Sequence, residues 1–309
     1  MTRIIAIYSA KGGVGKSTTA FSLSKELSKN HKVTLLDADI YGSSQLSLCQ
    51  NHLKNQNAEN NFKFGNISLV TAESLYKDKA PLIWRAPMVN KLIQYLVQEA
   101  SKLTSDFIVV DLPPGTGDIQ LSITQQLNIS TAIVVTNAEK ISLDVTQKSV
   151  DMLRKTKVNI LGIVENFSYF ACKHCDEKEF LYEREDINNF SKSNELDILA
   201  SIAFGKNPTK DDGFNELSNQ VINHNFKIYP FNFINKKNDL IITNSKQKVI
   251  IGAKELREKC PCAICKKNKL NILNDIYLTS VDKVGNYGIK IFFSDGHKTG
   301  IYDIDNLFC

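Results

Sequence analysis

Eight residues, Lys11-Gly-Gly-Val-Gly-Lys-Ser-Thr18, follow a short apolar run and open a helical pattern. That context suits the binding of a phosphate chain. Gly12, Gly13 and Gly15, with Val14 among them, let backbone amides converge on phosphate oxygens without Cβ clashes. The helix N-terminus adds partial positive charge. Lys16 is expected at the β- and γ-phosphates, Ser17 at Mg²⁺ and Thr18 at the α-phosphate of ATP. Two carboxylates end later apolar runs. Asp39, in Asp37-Ala-Asp-Ile-Tyr-Gly42, is expected to orient an attacking water, and Asp111, after Phe107–Val110, to act on Mg²⁺ through water. Either aspartate could instead cap a helix.

The seven cysteines are grouped. Cys172-Lys-His-Cys175 offers two thiolates, and a cubane iron–sulfur cluster takes four. A two-fold axis between paired subunits would supply the other two and make one shared [4Fe–4S] site. Taken alone, a C-x-x-C also suits an intersubunit zinc ion, a redox dithiol or no ligand at all. Cys260-Pro-Cys-Ala-Ile-Cys265 and His297, in Ser294-Asp-Gly-His297, offer three thiolates and an imidazole. That set predicts a closed tetrahedral Zn²⁺ site, with an iron–sulfur cluster as the rival. His174 reads as exposed, Cys49 as a buried thiol and Cys309 as a frayed end.

These residues need a scaffold. Apolar runs at 3–9, 32–36, 67–71, 107–110, 131–135 and 160–164 alternate with helical stretches, the first over about 16–29. The pattern predicts an α/β fold, a doubly wound and mostly parallel sheet covered on both faces. Asn51–Asn61, rich in Asn and Gln, reads as an exposed insertion. Organisation changes near 223–239, so a domain over 1–226 is expected before a smaller α+β domain over 227–309. The latter has strands near 240–243, 249–251, 276–281 and 287–293 and a helix near 254–259.

Composition bounds the rest. With 309 residues, 42% hydrophobic and 23% charged, the chain can bury a proper core. The net charge of +5 is too weak to argue for nucleic acid. Residues 227–309 carry 14 Lys+Arg against 8 Asp+Glu, which reads as a solvated basic surface. No apolar run is long enough to span a bilayer, and the N-terminus lacks the pattern of a signal peptide. Clustered cysteines without an export signal favour metal binding over disulfides and a cytoplasmic location.

Two resemblances sharpen this reading. Ala10 stands where the usual phosphate loop has its first glycine, and Lys11 follows it. This form resembles the deviant loop of the MinD/ParA/nitrogenase iron-protein class, which implies that Lys11 reaches across a homodimer to the partner's nucleotide. With DADIYG at 37–42, IWRAPM at 83–88, DLPPGTGD at 111–118 and GIVENFSYFACKHC at 162–175, residues 1–220 resemble the Mrp/ApbC family of iron–sulfur carrier ATPases. The resemblance implies a homodimer that holds a labile cluster at Cys172 and Cys175 and hands it from donors to apo-protein clients. It also implies that Asn166 reads the adenine edge. Ser43, Ala86 and the Ile202–Lys206 segment depart from the family pattern. A positioning ATPase without a cluster and an iron-protein-like reductase are the alternatives. Finally, ELREKCPCAIC and VGNYGIKIFFSDGHKTGIYDIDNL resemble the N-terminal domain of gamma-butyrobetaine hydroxylase, whose four matching positions bind zinc. The oxygenase domain is missing, so no oxygenase activity is implied. Neither nucleic acid nor membrane is expected as a partner.

Overall fold

The computed structural model describes residues 2–40, 42–49, 62–72, 86–115, 117–127, 129–172, 174–175, 177–205, 213–224, 232–244, 247–267, 275–284 and 288–308. The expected insertion at 51–61, residues 83–85 of the IWRAPM segment and Cys309 lie outside them. The chain divides into two compact units, Met1–Phe226 and Lys227–Cys309.

In the first unit, β1 (Arg3–Tyr8) leads through the glycine-rich loop into α1 (Lys16–Leu27), shorter than the helical pattern suggested. Strands β2 (Val33–Asp37), β4 (Ile67–Val70), β5 (Phe107–Asp111), β6 (Thr131–Thr136), β7 (Ile160–Ala171) and β9 (Ile198–Ala203) follow, with short β3 (Phe62–Phe64) and β8 (Lys178–Phe180). The sheet order is β3-β4-β2-β5-β1-β6-β7-β8, with β9 also on β7. Every pairing is parallel except β3 with β4 and β7 with β8.

The strands alternate between two cores. Ile5 and Ile7 point to one face, where Leu23 and Leu27 of α1 and Leu217 and Val221 of α7 (Phe214–Asn223) cover them. Ala6 and Tyr8 point to the other, under α3 (Ala86–Lys102), α4 (Asp118–Gln126) and α5 (Lys140–Lys155). Both faces are dry, which is why these strands read as continuous apolar runs. The chain passes from β1 over β5 to β2 on one side and later from β5 over β1 to β6 on the other, so the carboxyl ends of β1, β2 and β5 open at the switch point where such sheets bind ligands.

β7 runs twelve residues, well past the apolar run at 160–164. Phe167 has φ 54, and the pairing with β9 shifts register between Glu165 and Tyr169. This bulge lets β7 outgrow its neighbours and continue as a hairpin with β8. The sequence reading had no β8, no β9 and no α6 (Arg184–Asn194).

The second unit contains two three-stranded antiparallel sheets, β10 (Asn232–Asn235), β11 (Asp239–Thr243) and β12 (Lys248–Gly252), then β13 (Leu278–Val284), β14 (Gly288–Phe293) and β15 (Ile301–Asp303). Helices α8 (Ala253–Glu258), α9 (Ala263–Lys267) and α10 (Ile304–Leu307) complete it. Leu240, Ile242, Leu256, Ile289, Ile291 and Phe293 share its core with Cys260.

Candidate functional sites

The phosphate loop is shaped by backbone. Gly15 caps α1 with φ 85 and ψ 22, a left-handed conformation that costs any other residue energy. A Cβ there would lie 1.9 Å from Asn166 Nδ2. Gly13, also left-handed, faces open space. The N–H groups in the first turn of α1 have no intrahelical acceptors and suit an anion.

Lys16, only 6% exposed, donates to Asp111 Oδ1 and lies 3.7 Å from Asp39 Oδ2. Asp111 is fully buried at the end of β5, where its register partner is Asp37 of β2. Ser17 Oγ is 3.4 Å from Lys16 Nζ, and Thr18 is exposed. The expected cation, carboxylates and hydroxyl therefore converge on one spot. The buried Lys16 ammonium is compensated by the two aspartates, since a buried charge needs a partner.

Three neighbours escaped the sequence reading. Asp37 accepts from Ser43 Oγ at 2.9 Å and from the N–H groups of Asp39 and Gln45 at 3.1 and 3.3 Å, so it folds the Asp39–Gln45 turn. Burial, aided by the Asp111 charge, pushes its carboxyl up to about 7 against those hydrogen bonds. Burial also raises Asp39, and Lys16 opposes the rise. Gln45, fully buried, donates to Asp111 Oδ2 at 2.7 Å and to the Ser17 carbonyl at 2.9 Å. Glu139, just before α5, accepts from Lys11 at 2.6 Å, with Ser142 Oγ 3.1 Å from Lys11 Nζ. The Lys11 hydrogen bond holds Glu139 below the usual carboxylate range. A carboxylate that pairs with a loop lysine has no local sequence signal, because 128 residues separate the two.

Asn166, expected at the adenine edge, is 4% exposed and its amide donates to the Val14 carbonyl at 2.8 Å. It lies against Gly15 of the phosphate loop. Lys11 pairs with Glu139 of its own chain.

Cys172 and Cys175 sit in the β7–β8 turn, Cys172 half-buried and Cys175 exposed. The Cys172 N–H donates to Glu177 O at 2.9 Å, closing the hairpin end. Tyr169 packs edge-on against Phe180 with centroids 6.0 Å apart, and Lys178 Nζ lies 4.5 Å from the Tyr169 ring, so the hairpin base is firm. Phe170, Phe180, Leu181 and Phe204 are each 41–51% exposed on or beside these strands.

In the second unit, the ligand atoms of Cys260, Cys262, Cys265 and His297 lie within 4.8 Å of one another. His297 Nε2 is 3.1, 3.6 and 3.5 Å from the three sulfurs in that order. A tetrahedral ion with sulfur at about 2.3 Å and nitrogen at about 2.0 Å separates S from N by about 3.5 Å. The spacing fits a single ion. A four-iron cube, with each ligand on a different iron, needs a wider set. Arg257, 5% exposed and unforeseen in the sequence, donates to Cys265 Sγ at 3.3 Å and to Asp295 Oδ2 at 2.8 Å. Asp295 in turn accepts from the His297 N–H at 3.0 Å. The arrangement is a metal-ligand set with a cation beside its thiolates.

Comparison with known proteins gives a family match for each unit. Residues 1–227 match the family described as NUBPL iron-transfer P-loop NTPase. Residues 231–308 match the gamma-butyrobetaine hydroxylase-like N-terminal family. The iron–sulfur cluster transfer protein NUBPL of Mus musculus is 36% identical over 207 residues, 64% of this chain and 65% of that protein. The iron–sulfur cluster carrier protein of Aquifex aeolicus is 37% identical over 208 residues, 64% of this chain and 57% of that one. The chain thus spans less than two thirds of the length of these relatives. Two solved structures share the fold. A nucleotide-binding protein from Archaeoglobus fulgidus in complex with ADP has a TM-score of 0.53 at 24% identity, over 70% of this chain and 87% of its own. The septum site-determining protein MinD from Pyrococcus horikoshii, complexed with Mg-ADP, has a TM-score of 0.53 at 22% identity, over 72% and 97%.

Proposed function

Because the chain belongs to the NUBPL iron-transfer P-loop NTPase family, we propose that it is an ATP-dependent carrier of iron–sulfur clusters. Its cargo is a labile [4Fe–4S] cluster, held between two copies of the chain by Cys172 and Cys175 of each and passed to apo-proteins. The observation that carries this reading is the placement of the two thiols in the turn of the β7–β8 hairpin, with Cys175 exposed. A turn of two cysteines leaves a cluster half-ligated by one chain, and exposure lets a client's thiolates compete for it. The apolar side chains around the hairpin support a second copy as the partner that completes the site.

ATP fits the loop because the glycine cradle, the α1 N-terminus and Lys16 together meet a triphosphate. Mg²⁺ would be held by Ser17 and Asp111 and would neutralise charge on the phosphoryl group being transferred. Asp39 orients the attacking water. Lys11 leaves Glu139 to reach the partner's nucleotide, which couples nucleotide state to the way the two chains meet. Asn166 holds the loop in shape during this exchange. Cys260, Cys262, Cys265 and His297 hold Zn²⁺, which stabilises the small second unit. The chain acts in the cytoplasm, without nucleic acid or membrane as partner. Among the described residues no helix is long and apolar enough to cross a membrane.

Anaerobic reconstitution with iron and sulfide tests the reading. The wild type should take up a brown chromophore and run as a dimer. Cys172→Ala with Cys175→Ala should abolish the chromophore, and Cys260→Ala should leave it. Loss of colour in the Cys260 variant alone would move the cluster to the second unit and end the proposal.

A further inference from the structure

Gln45 opens the short helix α2 (Gln45–Cys49) and is sealed from solvent. Its Nε2 spans two groups of the phosphate site, Asp111 Oδ2 and the Ser17 carbonyl, at 2.7 and 2.9 Å. Because both partners only accept, the amide orientation is fixed, and a flip would set its oxygen against two oxygens. Gln45 Oε1 is buried and has no hydrogen-bond partner among the described residues. The backbone of the same residue is tied by its N–H to Asp37 Oδ2. One residue thus connects the Asp37–Gln45 turn, the β5 carboxylate and the first turn of α1.

From this geometry we infer that Gln45 is a positioning residue of the Mg²⁺ site, holding Asp111 by its amide N–H. The inference rests on the nucleotide-site reading above and deepens it. Lys16 engages Asp111 Oδ1. Gln45 engages Oδ2 and so fixes the carboxylate plane, which would give the ion a preset acceptor. The effect of that presetting is larger in metal-linked binding than in metal-free binding.

The test is the affinity of the full-length protein for a fluorescent non-hydrolysable ATP analogue, measured with Mg²⁺ and again with EDTA. Gln45→Leu and Gln45→Met remove the amide while keeping bulk, so one can stand in if the other folds poorly. Each should lower the gain in affinity brought by Mg²⁺ about tenfold, the loss expected for a hydrogen bond to a charged centre. Affinity in EDTA should fall by less than affinity in Mg²⁺. Mn²⁺ in place of Mg²⁺ should give a bound-state electron spin resonance spectrum that differs between wild type and variants. If the variants keep the full metal-linked gain and the same Mn²⁺ spectrum, Gln45 only packs and the inference falls. An equal loss with and without metal also overturns it in favour of a structural role. A wild type that binds no nucleotide at all would instead remove the phosphate-site reading beneath it.

Discussion

Asp37 shows how one buried side chain sets a pH response. Its carboxyl is raised to about 7 from the ordinary 3.8. Between those values the folded chain keeps a proton that the unfolded chain has released, so stability must fall as pH rises from about 4 to about 7. Urea unfolding of the nucleotide-free, metal-free protein across that window should show this downward slope, and Asp37→Asn should flatten it. Gly15 and Asn166 give a second residue-scale expectation. Gly15→Ala forces a left-handed alanine, costing about 1–2 kcal/mol, and drives Cβ into the Asn166 amide. Asn166→Ala alone costs about 1 kcal/mol for the lost bond to Val14. The double variant should be less destabilised than the two losses together, because removing the amide clears the clash. A coupling of zero in the unfolding cycle would mean that Asn166 does not buttress the loop. Both features involve side chains legible as types in the sequence. Their pairings were not, because Asn166 and Val14 are 152 residues apart.

At the scale of elements, the β7–β8 hairpin and the start of α5 matter most. The Lys11–Glu139 pair joins the phosphate loop to α5 on a half-exposed surface. Such a pair adds little to stability, but it occupies the lysine. Glu139→Gln should leave the melting temperature nearly unchanged. It should also let nucleotide-dependent dimers form at lower protein concentration in sedimentation experiments. Lys11→Ala should abolish that nucleotide response. If Glu139→Gln lowers dimer formation instead, the pair is a dimer contact and not a holding point. The strands that line the site were legible because parallel strands buried on both faces are apolar throughout. The extent of β7 was legible too, since GIVENFSYF at 162–170 reads as strand-like. The bulge at Phe167 and the pairings with β8 and β9 were not, because they depend on segments distant in the chain.

The whole molecule is two units with different sources of stability. Met1–Phe226 has two large apolar cores flanking its sheet, whereas the 83 residues of Lys227–Cys309 share one small core with a metal-ligand set. With the ion proposed for that set, a domain this small would draw its stability from the metal. Calorimetry should therefore show that a strong chelator, or Cys260→Ser, lowers only the transition of the second unit. Nucleotide should raise only that of the first. A chelator that also lowered the nucleotide-stabilised transition would contradict independent units. The sequence by itself determined the motifs whose chemistry is local: the glycine loop that lets backbone amides converge, the C-x-x-C pair after a strand-like run, and the C-x-C-x-x-C that offers three sulfurs to one ion. It also determined the parallel sheet, since period and apolar run length are local properties. Only the tertiary structure decided which distant groups share a charge or a hydrogen bond: Lys11 with Glu139, Lys16 and Gln45 with Asp111, Asn166 with Val14, Arg257 with Cys265 and Asp295. The reason is physical. These pairings are chosen by burial, which penalises any polar group without a partner, and burial is a property of the packed chain and not of any segment of it.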